Sequence, residues 1–347
     1  MNIEKHLILK NSSIKNALEM LNRLSLDAII FVTDEHRKLL GSITDGDIRR
    51  GLLKGFSLDD EVITIVQKNP QYFTKEEYDL RKVIELRTKG FKIIPLLDNK
   101  GTILNIVNFR SNKSFLPLQA IIMAGGKGER LRPLTNDTPK PMLKVGSKPI
   151  IEHNIDHLIN YGVKNFQISI KYLGEQIVDY FLDGINKGVS INYLRESIPL
   201  GTIGGLSNIN VNEHEHLILL NGDILSNINY EEFYLNFLEN DAMLSVASIP
   251  YSVNVPYAVL QTTNNLITSF HEKPTYTYYS NGGIYLMKKE CIDLIPKNKF
   301  FNTTDLLELL IAKGEKVISY PLNEYWLDIG RFEDFNKAQE DVKRIFL

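Results

Sequence analysis

Residues 120–143, AIIMAGGKGERLRPLTNDTPKPML, decide how the chain is read. They open with an apolar run, Ala120 to Ala124, whose length and composition predict a short buried strand. The run passes straight into Gly125, Gly126 and Gly128. Glycines directly after a strand let the backbone turn tightly and bring N–H groups against an anion with no Cβ in the way. Arg130 and Lys140 add fixed positive charge in the same stretch. Together these residues describe a cradle for a polyphosphate. Its spacing is neither G-x-x-x-x-G-K-[ST] nor G-x-G-x-x-G, so it is not a P-loop and not the dinucleotide fingerprint.

Downstream, apolar residues Ile150, Ile151, Ile155, Leu158 and Ile159 give residues 149–160 the spacing of an amphipathic helix. Residues 166–170 read as a strand, 174–182 as a helix and 189–193 as a strand. Residues 215–220 lead as a strand into Asn221-Gly222-Asp223. Strands alternating with helices predict an α/β fold with a doubly wound, mostly parallel sheet. Ligands of such sheets sit beyond the carboxyl ends of the strands, where the glycine loop and Asp223 both fall.

Upstream, residues 1–115 carry a two-fold repeat of about fifty residues. Residues 13–24 read as a helix, 28–32 and 39–43 as strands, and 47–53 as a short helix. The order returns as a helix at 80–86 and strands at 93–97 and 103–107. The polar stretch 109–117, FRSNKSFLP, reads as the linker to a second domain, residues 118–347. Two domains suit a length of 347 residues. A net charge of −2 excludes a general attraction to nucleic acid or acidic membrane, so any cationic site is local. Cys291 is the only cysteine, which excludes an internal disulfide and reads as a small buried hydrophobe. No secretory signal or membrane span is legible, and a cytoplasmic protein is expected.

The pattern Ala124-Gly125-Gly126-x-Gly128-x-Arg130-Leu131-x-Pro133-Leu134-Thr135, followed by Pro139-Lys140-Pro141-Met142, resembles the signature of the sugar-1-phosphate nucleotidyltransferases. The resemblance covers about residues 118–335. It implies that Ala124, Gly125, Gly126 and Gly128 bind the nucleotide, that Arg130 holds the departing pyrophosphate, and that Lys140 spans the phosphates. Asp223 and Asp328, the latter in Trp326-Leu327-Asp328-Ile329-Gly330, match the family's Mg²⁺ ligands. Glu272-Lys273-Pro274 resembles the family's Glu-Lys-Pro, in which Lys273 grips the sugar phosphate and Glu272 a sugar hydroxyl. Asn281-Gly282-Gly283-Ile284-Tyr285 resembles a sugar-binding segment, with Asn281 and Gly283 on the sugar. Leu200-Gly201-Thr202-Ile203-Gly204-Gly205, after Glu196 and Pro199, resembles the segment between base and sugar. It places Glu196, Gly201 and Thr202 on the nucleotide and Gly201 also beside the sugar, with Ile203 standing where many relatives have alanine.

Residues 40–50, LGSITDGDIRR, resemble the end of a CBS domain, whose Thr and Asp would hold a nucleotide ribose through Thr44 and Asp47. The second copy departs from this, with Val107-Asn108-Phe109 at the matching place. Residues 1–115 then form a tandem CBS pair, serving regulation by an adenine or guanine nucleotide or a homo-oligomer interface. Asp47 as a plain helix cap is the alternative.

The implied reaction joins a sugar 1-phosphate to a nucleoside triphosphate, with Mg²⁺. The Asn-Gly-Asp form around Asp223 is closer to guanylyltransferases. A CBS pair ahead of such a domain resembles the glucosamine-1-phosphate guanylyltransferases of legionaminic acid synthesis. GTP and glucosamine 1-phosphate are therefore the expected substrates. Mannose, heptose or glucose 1-phosphate with another base is the alternative. A non-catalytic nucleotide-sensing CBS protein is the rival from another class.

Overall fold

In the computed structural model, which describes residues 3–74, 79–196, 198–209, 211 and 214–345, the chain divides into two units, Met1–Phe115 and Leu116–Leu347. The first is built on a repeated order. Its first half holds β1 (Leu7–Leu9), α1 (Ile14–Leu24), β2 (Ile30–Thr33), β3 (Leu39–Ile43) and α2 (Asp45–Leu53). Its second half holds β4 (Phe73–Thr74), α3 (Leu80–Thr88), β5 (Ile93–Leu97) and β6 (Ile103–Asn108). In each three-stranded sheet the middle strand runs parallel to the first and antiparallel to the third. Ile14, Ala17 and Leu21 share one face of α1 and bury it against Ile30, Val32, Ile43 and Ile48. Phe31 packs with Ile93, Leu97, Ile103 and Ile106, so the two halves close on each other. α2 starts two residues earlier than the sequence predicts because Thr44 caps it, with Asp47 completing a capping box.

The second unit begins with β7 (Leu118–Ala124), the short β8 (Lys144–Val145) and β9 (Lys148–Pro149), and α4 (Ile150–Asn160). β10 (Asn165–Ile170), α5 (Glu175–Phe181), β11 (Ser190–Arg195), β12 (His216–Asn221), β13 (Ile224–Ser226) and α6 (Tyr230–Glu239) follow. β14 (Leu244–Asn254), β15 (Val259–Thr263), β16 (Leu266–His271), β17 (Thr275–Lys288), α7 (Thr303–Ala312), β18 (Val317–Pro321), β19 (Trp326–Asp328) and α8 (Phe332–Ile345) complete it. The central sheet has the order β11-β10-β7-β12-β17-β14-β18. Only β17 runs against its neighbours, so the fold is the expected α/β class with a mostly parallel sheet. β7 and β12 lie mid-sheet with both faces covered, which is why they read as continuous apolar runs.

One feature was not legible in the sequence. β14 and β17 continue together beyond the sheet, from Ser248↔Asn281 to Asn254↔Thr275, as a two-stranded ribbon, with β15 and β16 paired as a hairpin between them. From Tyr251 to Tyr279 nearly every side chain is exposed. A ribbon wet on both faces has no inward side to impose a hydrophobic alternation. Among the described residues, no helix is long and apolar enough to cross a membrane.

Candidate active site

Register fixes which residues meet at the carboxyl rim of the sheet. Ala124 of β7 stands opposite Ile170 of β10, and Ile170 opposite Arg195 of β11. Asn221 of β12 stands opposite Met123. The next residue on each strand is therefore Gly125, Lys171, Glu196 or Gly222. Gly222 N–H donates to Met123 O at 2.8 Å, and Glu196 N–H donates to Ile170 O at 3.1 Å. Above this rim opens a cavity of about 640 Å³. Of the residues singled out from sequence, Ala124, Gly125, Gly126, Lys140, Glu196, Gly201, Thr202 and Asp223 line it.

The glycine loop is shaped for close approach. A Cβ on Gly126 would meet nothing within 4 Å, so its backbone is open. Gly128 has φ +62°, and a Cβ there would come 3.0 Å from Lys140 Cβ and from Thr135 Cγ2. The left-handed backbone and that crowding both require glycine. Gly128 O accepts from Thr135 Oγ1 at 2.8 Å, which holds the loop against the stem of Lys140.

Lys140 is 7% exposed and forms an ion pair with Asp223. Its Nζ also lies 3.8 Å from Asp328 Oδ1. The two acids meet because β13 and β19 pair with Ile224 opposite Asp328, and Ile329 N–H donates to Asp223 O at 3.1 Å. Arg130 reaches the same point, its guanidinium 3.5–3.6 Å from where a Cβ on Gly330 would be. One hydrophobic cluster, through Leu131, Leu143, Leu225 and Ile329, anchors the segments that carry all four side chains. Burial, then the charge of Asp223, raises the Asp328 carboxyl above the ordinary carboxylate range, against the pull of Lys140 and Arg130. Among the described residues no cluster of three or more His, Cys, Asp or Glu side chains forms a metal cage. Two converging acids still suit Mg²⁺, which keeps several waters and takes one or two carboxylates together with substrate phosphates.

On the other side of the loop, Ser169 Oγ donates to Glu196 Oε1 at 2.7 Å. Gly201 has φ +79°, and a Cβ there would lie 2.6 Å from Phe301 O. Thr202 Oγ1 accepts from Thr303 N–H at 2.8 Å, so its hydroxyl ties the loop to the start of α7. Ile203, in the segment expected between base and sugar, does not line the cavity. It is fully buried in the core with Ile121, Leu217 and Leu219. Cys291 lies in the same core, and burial pushes its thiol up to about 12.

Glu272 and Lys273 are not brought to the cavity. Both are exposed at the far end of the ribbon, past Thr275, some six residues or ~20 Å of strand beyond Asn281. Asn281 is exposed too, its Oδ1 accepting from Gly283 N–H at 2.9 Å. Gly283 is buried against Asn221, which does line the cavity. In the first unit Thr44 and Asp47 are bound to each other, Thr44 Oγ1 donating to Asp47 Oδ2 at 2.6 Å. Arg50 holds Asp47 Oδ1 at 2.6 Å, so both oxygens of the expected ribose grip are engaged within α2.

Sequence reasoning missed Lys171 and Tyr172, which line the cavity. Lys171 directly follows a predicted strand, the same signal that picked out Asp223. Tyr172 is fixed by its hydroxyl, within 3.0 Å of Thr135 O and 2.9 Å of Asn136 O.

Residues 119–345 match the family described as Nucleotidyl transferase, and residues 6–54 match the CBS domain. The chain is 35% identical over 230 residues to the bifunctional protein GlmU of Methanocaldococcus jannaschii, covering 64% of this chain but only 54% of that one. It is 30% identical over 231 residues to the D-glycero-alpha-D-manno-heptose 1-phosphate guanylyltransferase of Aneurinibacillus thermoaerophilus, covering 65% of this chain and 99% of that one. Among solved structures it is similar to HddC from Yersinia pseudotuberculosis, at 28% identity and a TM-score of 0.51 over 65% of this chain and 99% of that one. HddC is also known in complex with GMP-PN.

Proposed function

Because the chain belongs to the nucleotidyl transferase family, we propose that it joins a sugar 1-phosphate to a nucleoside triphosphate, forming an NDP-sugar and pyrophosphate. One observation carries this: Lys140 is buried between Asp223 and Asp328 directly beside the glycine loop. Mere nucleotide binding does not require a fixed cation between two acids at the phosphates.

In the proposed reaction a sugar phosphate oxygen attacks the α-phosphorus while the bond to the pyrophosphate oxygen breaks. That nucleophile is already ionised at neutral pH, so no general base is needed. The protein's task is alignment and neutralisation of charge. Lys140 meets the phosphate oxygens, Arg130 the departing pyrophosphate, and the N–H groups of the glycine loop the remainder. Asp223 and Asp328 are the side chains that would hold Mg²⁺, which when bound supplies screening across the phosphates. Lys273 and Glu272 can serve the sugar phosphate only if the ribbon folds in over the rim.

For the base, the guanylyltransferases among the relatives support GTP. So does Glu196, which holds Ser169 with one oxygen and keeps the other for N–H donors in the cavity. Glucosamine 1-phosphate, giving GDP-glucosamine for nonulosonic (legionaminic) acid synthesis, is supported by the CBS match ahead of the transferase. Pyrophosphate release measured with GTP, UTP, dTTP and CTP, each against glucosamine, mannose, heptose and glucose 1-phosphates in Mg²⁺, tests both levels. GTP with glucosamine 1-phosphate is the expected pair. Another productive pair replaces the substrates, and none at all removes the enzyme.

A further inference from the structure

We propose that Lys171 reads the keto group of the incoming nucleobase, and that with Glu196 it selects guanine. This presupposes the nucleotide site proposed above and names what that site recognises. Among the described residues the Lys171 side chain has no hydrogen-bond or ion-pair partner, yet it lines the cavity. The root of its side chain is fixed in place. A Cβ on Gly125 would lie 3.3 Å from Lys171 Cβ, so the side chain rises directly against the glycine loop. Its neighbour Tyr172 is pinned to the carbonyls of Thr135 and Asn136.

Lys171 stands across the glycine loop from the charged side chains of the phosphate site. Arg130, Lys140, Asp223 and Asp328 gather on the β12 side of β7. Lys171 stands on the other side, at the end of β10, with Glu196 one strand further at the end of β11. Neighbouring strands are about 4.8 Å apart, so the roots of the two side chains are about one strand spacing apart. They are not ion-paired with each other, and both are presented to the cavity.

A lysine ammonium only donates, and an ionised carboxylate only accepts. Guanine offers the complement along one edge, an acceptor at O6 and then donors at N1–H and N2–H. Uracil and thymine offer the first two positions, a keto oxygen and an N–H, but present an oxygen at the third. Adenine and cytosine invert the pattern, placing an amino group toward Lys171 and a bare ring nitrogen toward Glu196. A site that leaves its own buried polar groups unmatched discriminates strongly against such bases.

The test compares GTP with 6-thioguanosine triphosphate, which keeps N1–H, N2–H and all the phosphates but has sulfur, a poor acceptor, in place of O6. The parent enzyme should favour GTP by about tenfold or more in kcat/KM. Lys171→Met should lower GTP use about tenfold to a hundredfold while barely changing 6-thioguanosine triphosphate, so that the preference collapses toward unity. Lys171→Arg, which keeps a donor, should restore much of it. Equal losses with both nucleotides would make Lys171 a phosphate ligand and overturn the proposal, as would no loss with either. If no triphosphate releases pyrophosphate, the transfer chemistry falls. The same two nucleotides, compared as dissociation constants by calorimetry, then decide the role of Lys171. If UTP is the substrate, the selection of guanine is overturned, and uridine and 4-thiouridine triphosphates decide whether Lys171 still reads the keto group.

Discussion

Lys140 keeps its ammonium out of water at 7% exposure, and among the described residues Asp223 and Asp328 offset the cost of that burial. Asp223→Asn therefore acts twice. It should cut turnover by at least ~100-fold, by removing charge from the phosphate site. It should lower stability by only about 1 kcal/mol, because the amide oxygen still accepts from Lys140 and Asp328 remains. Pyrophosphate release and denaturant unfolding read the two effects separately, and near-parental turnover would remove Asp223 from the site. Asp328 behaves in the opposite way. Its carboxyl is raised by burial and by Asp223, so the native state binds its proton more tightly than the unfolded chain does. Stability is then lost as pH rises from the ordinary carboxylate range through the raised value, and the loss persists at neutral pH. Asp328→Asn should melt higher than the parent at pH 7, and this advantage should shrink as the pH falls through the raised value and vanish below the ordinary carboxylate range, where Asp328 is protonated in both states. Activity should fall throughout. Lys140 and Asp328 were legible through the family resemblance of their segments, whereas Asp223 also stands just past the end of a strand. Lys171 shares that position and was passed over because a lone lysine carries no pattern of its own.

At the scale of elements, visibility followed burial. β7 and β12 are covered on both faces and announce themselves as apolar runs. The β14–β17 ribbon has no covered face beyond Ser248 and Asn281, so Thr-Tyr-Thr-Tyr-Tyr gave no usable period, and the removal of Lys273 from the cavity could not be foreseen. The loop at residues 200–204 shows a third case, in which adjacent residues of one short segment face opposite ways. Ile203 points into the core beside Leu217 and Leu219, while Gly201 and Thr202 line the cavity. Ile203 N–H and Gly204 N–H both donate to Phe301 O at 3.0 Å, which fixes that orientation. Ile203→Ala should therefore cost about 2–5 kcal/mol in denaturant unfolding. It should leave the KM for the sugar phosphate within about twofold of the parent. A large change in KM at unchanged stability would return Ile203 to the sugar pocket.

For the whole molecule, a net charge of −2 means that substrates are gathered by local cations and not by a global field. The two units have their own cores, one around Ile14, Leu21 and Val32 and the other around Ile121, Leu217 and Leu306. Separate cores predict two melting transitions, and each unit should respond to its own ligand. GTP with Mg²⁺ should raise the transition of Leu116–Leu347 alone. Asp47 organises the other unit: it receives Thr44 N–H at 2.8 Å and Thr44 Oγ1 at 2.6 Å, and pairs with Arg50 at 2.6 Å. Asp47→Ala removes all three contacts at the start of α2, and should lower the first unit's transition by about 5–10 °C while leaving the second in place. A ribose can use Asp47 only by exchanging these internal bonds for its own hydroxyls, so the gain on binding is a difference of similar terms. AMP or GDP should therefore raise the first transition modestly in the parent and not at all in Asp47→Ala. Equal stabilisation of both proteins would leave Asp47 as a helix cap alone. A single transition shifted by either ligand would mean that the two units unfold as one.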